Sequence, residues 1–533
     1  MRNKRNILSK FGIAITAIVV VAVVIMFFIY KTGTQSVTQE RTEKPNIVFI
    51  LADDLGYGDV SCLNENSKIH TPNIDRIANA GVVFTDAHSN SAVCTPSRYG
   101  ILTGRYSWRS RLKRGIVGIY GKPLMDPKRT NMASMLKQKG YQTACIGKWH
   151  LGRNWPTIDN KPPVNKRGEN NIDFSRPITG GPVDVGFDYY FGTDVPNFPP
   201  YCFIENQHTV GIPSEYYTTF PYNDCRPGIG LPDWKMEDIL PTLLQKAVEY
   251  ITKASKRKNP FFLYFPLTAP HTPIAPSEEF RGESGLNSYA DFVLEVDYVV
   301  GQILNTLEKT GVIENTIVVF TSDNGCSPQA DIPFLTKHGH YPSYIYRGYK
   351  ADLYEGGHRI PCLLQWPIEI KTPHIVRQTI CLNDFMATFA EVTGYVLSDN
   401  EAEDSYSLLP VICDPDYNKI IREATVHHSV NGSFAIRKGD WKLLLTAGSG
   451  GWSYPRPKEA LKLGLPPIQL YNLDKDISEQ HNVYKQYPET MKTMRQLLKK
   501  YILDGRSTPG KPQDYVKPDK WPGLEWMKSA RNN

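Results

Sequence analysis

The feature that most constrains this chain is a repeated pairing: apolar runs of strand type, each stopping at a polar cluster. Pro45-Asn46-Ile47-Val48-Phe49-Ile50-Leu51-Ala52 is rich in β-branched residues and ends at Asp53-Asp54. Gln142–Ile146 ends at Gly147-Lys148-Trp149-His150, and Pro260–Phe265 leads through Pro266 to His271. Thr316–Phe320 leads to Asp323-Asn324-Gly325. Apolar runs without alternation read as strands covered on both faces. Further strands are predicted at Val82–Phe84 and Cys362–Gln365. Helical patterns fall between the runs, at Thr71–Ala80, Asn131–Lys139, Met236–Ala254, Ser288–Lys309 and Ile380–Val392. A helix is also predicted to open over Pro96 to Gly104. This order predicts an α/β fold, a large mostly parallel sheet sandwiched by helices.

After about Leu409 the pattern changes. Short strands are predicted at Thr425–His428, Ser433–Ile436 and Lys442–Leu445, joined by turns, with a helix at Glu489–Leu503. These form a smaller C-terminal antiparallel α+β subdomain. The expected organisation is a catalytic domain over 45–412, the subdomain over 413–508 and a tail over 509–533. From Asn154 to Leu231 the pattern dissolves into Pro, Gly, Asn and aromatic residues. A loop region that long inside a domain is usually functional.

Residues 1–10 carry Arg2, Lys4, Arg5 and Lys10, and Phe11 to Tyr30 is free of charge. That length suits a bilayer-spanning anchor with its basic flank inside, and a cleaved signal peptide is the alternative. Residues 31–44 read as a tether, so the remainder is expected outside the cytoplasm, anchored to the membrane or secreted after cleavage. Nine cysteines are too few, and odd in number, for a disulfide scaffold. Cys202 and Cys225 could pair or stay free. A net charge of +7 is spread along the chain without a basic run, which gives no sign of nucleic acid as a partner.

The polar clusters stand just past strand ends, the edge where ligands bind in open α/β sheets. Asp53, Asp54, Asp323 and Asn324 offer only oxygen and suit a hard cation, Ca²⁺ or Mg²⁺. Arg98, Lys148 and Lys350 add positive charge, which suits a compact dianion: sulfate, phosphate or phosphonate. His150 and His271 can carry protons. Cys94 reads either as a small buried hydrophobe or as a nucleophile position beside a fixed cation.

Cys94-Thr95-Pro96-Ser97-Arg98 resembles the Cys-x-Pro-Ser-Arg signature of type I sulfatases, in the alkaline phosphatase superfamily. Gly147-Lys148-Trp149-His150-Leu151-Gly152 is similar to the family's second signature. Pro270-His271-Thr272-Pro273, Thr321–Gly325, Gly348-Tyr349-Lys350 and Glu355–Pro361 are similar to later blocks, as are Asp404–Pro410 and Leu470–Leu473. The resemblance covers about Pro45 to Leu503. It implies that a separate formylglycine-generating or anaerobic sulfatase-maturating enzyme converts Cys94 to Cα-formylglycine. It implies Ca²⁺, ahead of Mg²⁺, on Asp53, Asp54, Cys94, Asp323 and Asn324. Arg98 and Lys148 would hold the aldehyde hydrate, Lys350 and His271 would contact sulfate and assist the leaving oxygen, and His150 would take a proton from the hydrate. The implied activity is hydrolysis of an organic sulfate ester through a sulfo-enzyme intermediate. Two alternatives stand beside it: a phosphonate or phosphate-diester hydrolase of the same superfamily, and a non-catalytic binder of sulfated glycans. Aromatic residues in the Asn154–Leu231 region suit stacking on sugar rings. Asn197 and Tyr201 are the expected substrate contacts, with a sulfated carbohydrate as the expected substrate.

Overall fold

β1 (Asn46–Ala52) lies in the middle of a ten-stranded sheet in the computed structural model, which describes residues 43–527. The other strands, in chain order, are β2 (Gly81–Phe84), β3 (Gln142–Ile146), β4 (Tyr189–Gly192), β5 (Ile204–Glu205) and β6 (His208–Thr209), then β7 (Phe261–Pro266), β8 (Thr316–Ser322), β9 (Cys362–Gln365) and β10 (His374–Val376). Their order across the sheet is β10-β2-β9-β8-β1-β7-β3-β4-β5-β6. The central block β8-β1-β7-β3-β4 is parallel. β9 runs antiparallel to both β8 and β2, so the sheet is mixed but mostly parallel.

Both faces are covered, which is why β1 needs no polar alternation. Ile47, Phe49 and Leu51 point into one core with residues of α2 (Cys94–Thr103), α3 (Met132–Gln138) and α6 (Asp384–Thr393). Val48 and Ile50 point into the other, against α1 (Pro72–Asn79), α4 (Ile239–Ala254) and α5 (Ser288–Lys309). Phe49 meets Phe385 edge-on with ring centroids 5.2 Å apart. Truncating such a ring to alanine costs about 3–5 kcal/mol.

A second sheet follows, with β11 (Thr425–His428), β12 (Phe434–Lys438), β13 (Trp441–Leu444) and β14 (Gln469–Asn472) antiparallel in that order. Helix α7 (Pro488–Asp504) covers it with Met494, Leu498, Tyr501 and Ile502. The same core takes in Tyr106 and Trp108, which follow α2, and Tyr515 and Trp521 pack against it from the tail.

Several expectations need correction. The Asn154–Leu231 region is not all loop. It supplies β4 to β6, which extend the sheet edge, and a separate strand pair, Glu215–Tyr217 with Gly228–Gly230. Its strands are too short and too aromatic to show a period. Ile380–Val392 splits, because Ile380–Cys381 pairs with Ala87–His88 before α6 begins. The Cys94 helix starts at Cys94 rather than Pro96. Cys202 and Cys225 are both free thiols. The chain divides into two units, Met1–Lys44 and Pro45–Asn533. The expected anchor Phe11–Tyr30 lies outside the described residues. Among the described residues no helix is long and apolar enough to cross a membrane.

Candidate active site

Parallel register brings the strand ends level. Leu51 pairs with Pro266 and Ala52 with Ser322. The chain then turns over the sheet edge with short backbone bonds: Asp53 N–H to Ala269 O at 3.0 Å, Asp323 N–H to Ala52 O at 3.1 Å, and Lys148 N–H to Pro266 O at 2.8 Å. Gly147 is required for this approach. Its φ is +131°, and a Cβ there would sit 1.9 Å from the Pro266 carbonyl oxygen. Asp54 and His150 both adopt left-handed φ, 65° and 54°. Such conformations concentrate at functional sites, where the surroundings hold them.

The side chains converge at the first turn of α2. Ligand atoms of Asp53, Asp54, Cys94 and His271 all lie within 4.8 Å of one another, and all four residues are buried. Lys148 Nζ is 2.6 Å from Asp53 Oδ2, and Lys350 Nζ is 2.6 Å from Asp54 Oδ2. Arg98 bridges the acids, with Nη2 at 2.8 Å from Asp323 Oδ2 and 3.3 Å from Asp53 Oδ1. Its Nη1 donates to the Lys148 carbonyl at 3.0 Å. His271 Nε2 is 3.7 Å from Asp54 Oδ2. Asn324 Nδ2 donates to Asp54 Oδ1 at 2.7 Å, which ties in the fourth oxygen-bearing residue.

The electrostatics are those of a dry, crowded site. Burial pushes the Cys94 thiol up to about 12, against the pull of Lys148 and Lys350, so it is no thiolate at neutral pH. Burial would also raise Asp53, but Lys148, His271 and Arg98 hold it well below the usual carboxylate range. Asp323 is pushed up to about 7 by burial and by Asp53. Burial with Lys148 and Lys350 lowers His271 to about 4, and burial with Lys148 and Arg98 lowers His150 as well.

Asn324 Oδ1 and His150 Nδ1 are buried without a hydrogen-bond partner, and Asp53 Oδ1 has only the 3.3 Å ion-pair contact of Arg98 Nη2. Unsatisfied buried oxygens are costly unless a cation or donor meets them, so the oxygen set fits a hard divalent ion. The imidazole tautomer follows from geometry. His150 Nε2 stands 3.0 Å from the Val117 carbonyl, which can only accept. Nε2 therefore carries the hydrogen, and Nδ1 is a bare base.

A sulfatase family model matches residues 45–395. The chain belongs to the sulfatase family. Its members hydrolyse sulfate esters. This sulfatase is 35% identical to the N-acetylgalactosamine-6-O-sulfatase of Bacteroides thetaiotaomicron over 86% of this chain and 93% of that protein. It is 30% identical to human arylsulfatase A over 88% of this chain and 90% of that protein. A solved structure connected with the metabolism of multiple glycosaminoglycans by Bacteroides thetaiotaomicron superimposes with a TM-score of 0.75 at 34% identity. It covers 86% of this chain and 99% of that one. A Pseudoalteromonas sulfatase superimposes with a TM-score of 0.67 at 25% identity, over 88% of this chain and 93% of that one.

Asp53, Asp54, Cys94, Arg98, Lys148, His150, His271, Asp323, Asn324 and Lys350 are thus all at one sheet edge of the sulfatase. Tyr201 is placed differently. It is buried, its ring packs on Tyr217 and Phe220, and its hydroxyl donates to backbone carbonyls of Arg226 and Asn197. Its ring and hydroxyl are thus engaged in bracing a loop. Asn197 is buried beside Thr272, with Nδ2 donating to the Asp224 carbonyl at 2.9 Å and Oδ1 unpartnered.

Other blocks of the resemblance hold buried ion pairs away from the site. Asp404 takes both Arg109 Nη2 (2.7 Å) and Nε (2.8 Å), and the backbone N–H of Tyr106. Glu355 and Glu479 share Lys442, each at 2.9 Å. His88, His358 and His427 form a second buried cluster beside Glu355. Lys442 lies 3.1 Å from His358 Nε2 and Arg437 lies 3.0 Å from His88 Nε2, and these cations oppose a metal there. The loop Asp224–Arg226, which contacts Thr272 and Phe198, was not legible in the sequence, since no pattern marks it.

Proposed function

We propose that this sulfatase removes sulfate from a carbohydrate sulfate ester, with 6-O-sulfated N-acetylgalactosamine as the first substrate to test. The observation that carries this reading is the setting of Cys94. It is a buried, protonated thiol ringed by two lysines, an arginine, three carboxylates and two histidines, which suits a precursor better than a thiolate nucleophile. The identity to the bacterial N-acetylgalactosamine-6-O-sulfatase supports the choice of sugar.

Asp53, Asp54, Asp323 and Asn324 would hold Ca²⁺, which when bound supplies positive charge that offsets the acids and acidifies a neighbouring hydroxyl. Cα-formylglycine at position 94 would supply, as its hydrate, a nucleophilic hydroxyl and a second hydroxyl that provides the exit for sulfate. The chain's own residues do the rest. Arg98 and Lys148 fix the acids around residue 94. His150 accepts a proton at its bare Nδ1. Lys350 meets the sulfate oxygens. His271 donates its Nδ1–H to the Thr272 carbonyl at 2.5 Å, which leaves Nε2 for the leaving oxygen. An arriving dianion raises the proton affinity of His271 and prepares it as an acid.

Conversion of Cys94 needs a maturating enzyme, and the apolar Phe11–Tyr30 segment suits export to where sulfated glycans are met. The test is sulfate release by matured protein from the 6-sulfated sugar, from an aryl sulfate and, for contrast, turnover of an aryl phosphonate. The matured Cys94 peptide is expected to weigh about 18 Da less than the unmodified one. Cys94→Ala is expected to lose at least about 10³-fold in kcat/KM with the fold intact. Preference for the phosphonate, or full activity in Cys94→Ala, would overturn the reading.

A further inference from the structure

The segment Asp224–Arg226 bridges the two histidines of the site from outside. On one side, Thr272 Oγ1 donates to Asp224 Oδ2 at 2.9 Å, and Thr272 is the residue after His271. On the other, the Arg226 guanidinium lies 4.6 Å over the Phe198 ring, and Phe198 meets the His150 imidazole edge-on at 6.0 Å between centroids. Two contacts therefore separate an exposed guanidinium from the proposed base.

The segment is held firmly. Arg226 N–H donates to the Asn197 carbonyl at 3.1 Å, and its own carbonyl accepts the Tyr201 hydroxyl. The buried Tyr201 and Asn197 thus fix the backbone that presents Arg226. Among the described residues the Arg226 side chain has no ion pair and no side-chain hydrogen bond; it lies over the Phe198 ring, with the Tyr201 hydroxyl also within its field. Arg98, Lys148 and Lys350 are each matched by an acid. The nearest acid in sequence, Asp224, is engaged by Thr272 and by Asn197 Nδ2 at 3.2 Å. A guanidinium that rests over a ring and has no acid or carbonyl partner keeps its N–H donors for a planar or tetrahedral anion.

We infer that Arg226 forms a subsite for a second anionic group of the substrate, carried on the sugar next to the sulfated one. The shared chemistry is a carboxylate or a further sulfate ester. This rests on the carbohydrate sulfatase reading and narrows it to polyanionic glycans. Arg226 binds and orients, and takes no part in sulfur–oxygen cleavage.

The experiment compares matured wild type, Arg226→Ala and Arg226→Lys on four substrates: an aryl sulfate, a 6-sulfated disaccharide with a uronate neighbour, its carboxyl-reduced form, and a disulfated disaccharide without uronate. The quantity read is kcat/KM on each sugar relative to the aryl sulfate. Arg226→Ala is expected to lower that ratio about 10–100-fold for whichever acidic disaccharide wild type prefers, mainly through KM. Arg226→Lys keeps the charge and loses the fork, and is expected to fall between. A preference for the uronate over the reduced sugar assigns the carboxylate, and a preference for the disulfated sugar assigns sulfate. An unchanged ratio in both variants, with thermal melting unaltered, would overturn the inference while leaving the sulfatase reading intact. Loss of turnover by wild type on every sulfate would overturn that reading instead.

Discussion

Lys350 Nζ stands 2.6 Å from Asp54 Oδ2, and the loop that carries it is held by Asp352. Asp352 Oδ2 accepts Tyr349 N–H at 3.0 Å, while its Oδ1 accepts Trp452 N–H at 2.8 Å. The position of the Lys350 ammonium is thus set jointly by the sheet edge and by the loop after β13. Lys350→Ala is expected to cut kcat/KM on an aryl sulfate by about 10²–10³-fold. Asp352→Asn is expected to cost less, about 10-fold, with a rise in KM. Steady-state kinetics on both variants checks this. Equal and complete loss would place Asp352 in contact with substrate.

The oxygen set of Asp53, Asp54, Asp323 and Asn324 predicts metal dependence. A chelator is expected to lower the melting temperature and abolish activity, with Ca²⁺ restoring both at lower concentration than Mg²⁺. At a free ion concentration about 1,000 times Kd the stabilisation is about 4 kcal/mol. Asp54→Asn is expected to melt at the same temperature with and without chelator. Thermal melts with each ion check the order.

The Arg109–Asp404 pair is fully buried and doubly bonded, and Arg109 Nη1 also donates to the Tyr501 carbonyl at 3.0 Å. Removing one partner strands the other. Arg109→Ala is expected to destabilise the fold by about 3–5 kcal/mol, although it lies outside the site. Chemical denaturation gives the number, and a loss under about 1 kcal/mol would contradict it.

Acid lability has a defined sign. Burial and Lys113 lower His428 to about 3, and burial with His88 and Lys442 lowers His427. Below the unfolded value, about 6.5, the unfolded chain binds protons that these rings exclude. Stability therefore falls as pH drops from about 6.5 toward 3, by on the order of several kcal/mol. Glu479, pushed up to about 7 by burial, acts in the opposite sense and softens the slope. Denaturation between pH 7 and 4 measures the slope, and His428→Gln is expected to flatten it.

Much of the site was legible because strand ends announce themselves. β1, β3, β7 and β8 each carry an uncharged, mainly apolar run, so the first charged residues past them had to lie at one edge. The C-terminal unit was legible as strands and turns, except β14, whose four residues carry no period. Tyr201 misled because aromatic content in a loop region reads alike for a sugar platform and for loop packing. Arg226 left no trace, since its significance lies in a missing counter-charge that only three dimensions reveal.

The backbone around Cys94 is closed by distant chain. Ala92 N–H donates to the His428 carbonyl at 3.1 Å and its own carbonyl accepts Ala351 N–H at 2.7 Å, while Ser91 Oγ reaches the same His428 carbonyl, 337 residues downstream. At synthesis rates of about 5–20 residues per second, His428 leaves the ribosome on the order of tens of seconds after Cys94. Until then this segment lacks its final partners and stays open as a peptide. The topology itself thus builds a delay into biosynthesis, during which the Cys94 side chain is not yet sealed by the finished fold.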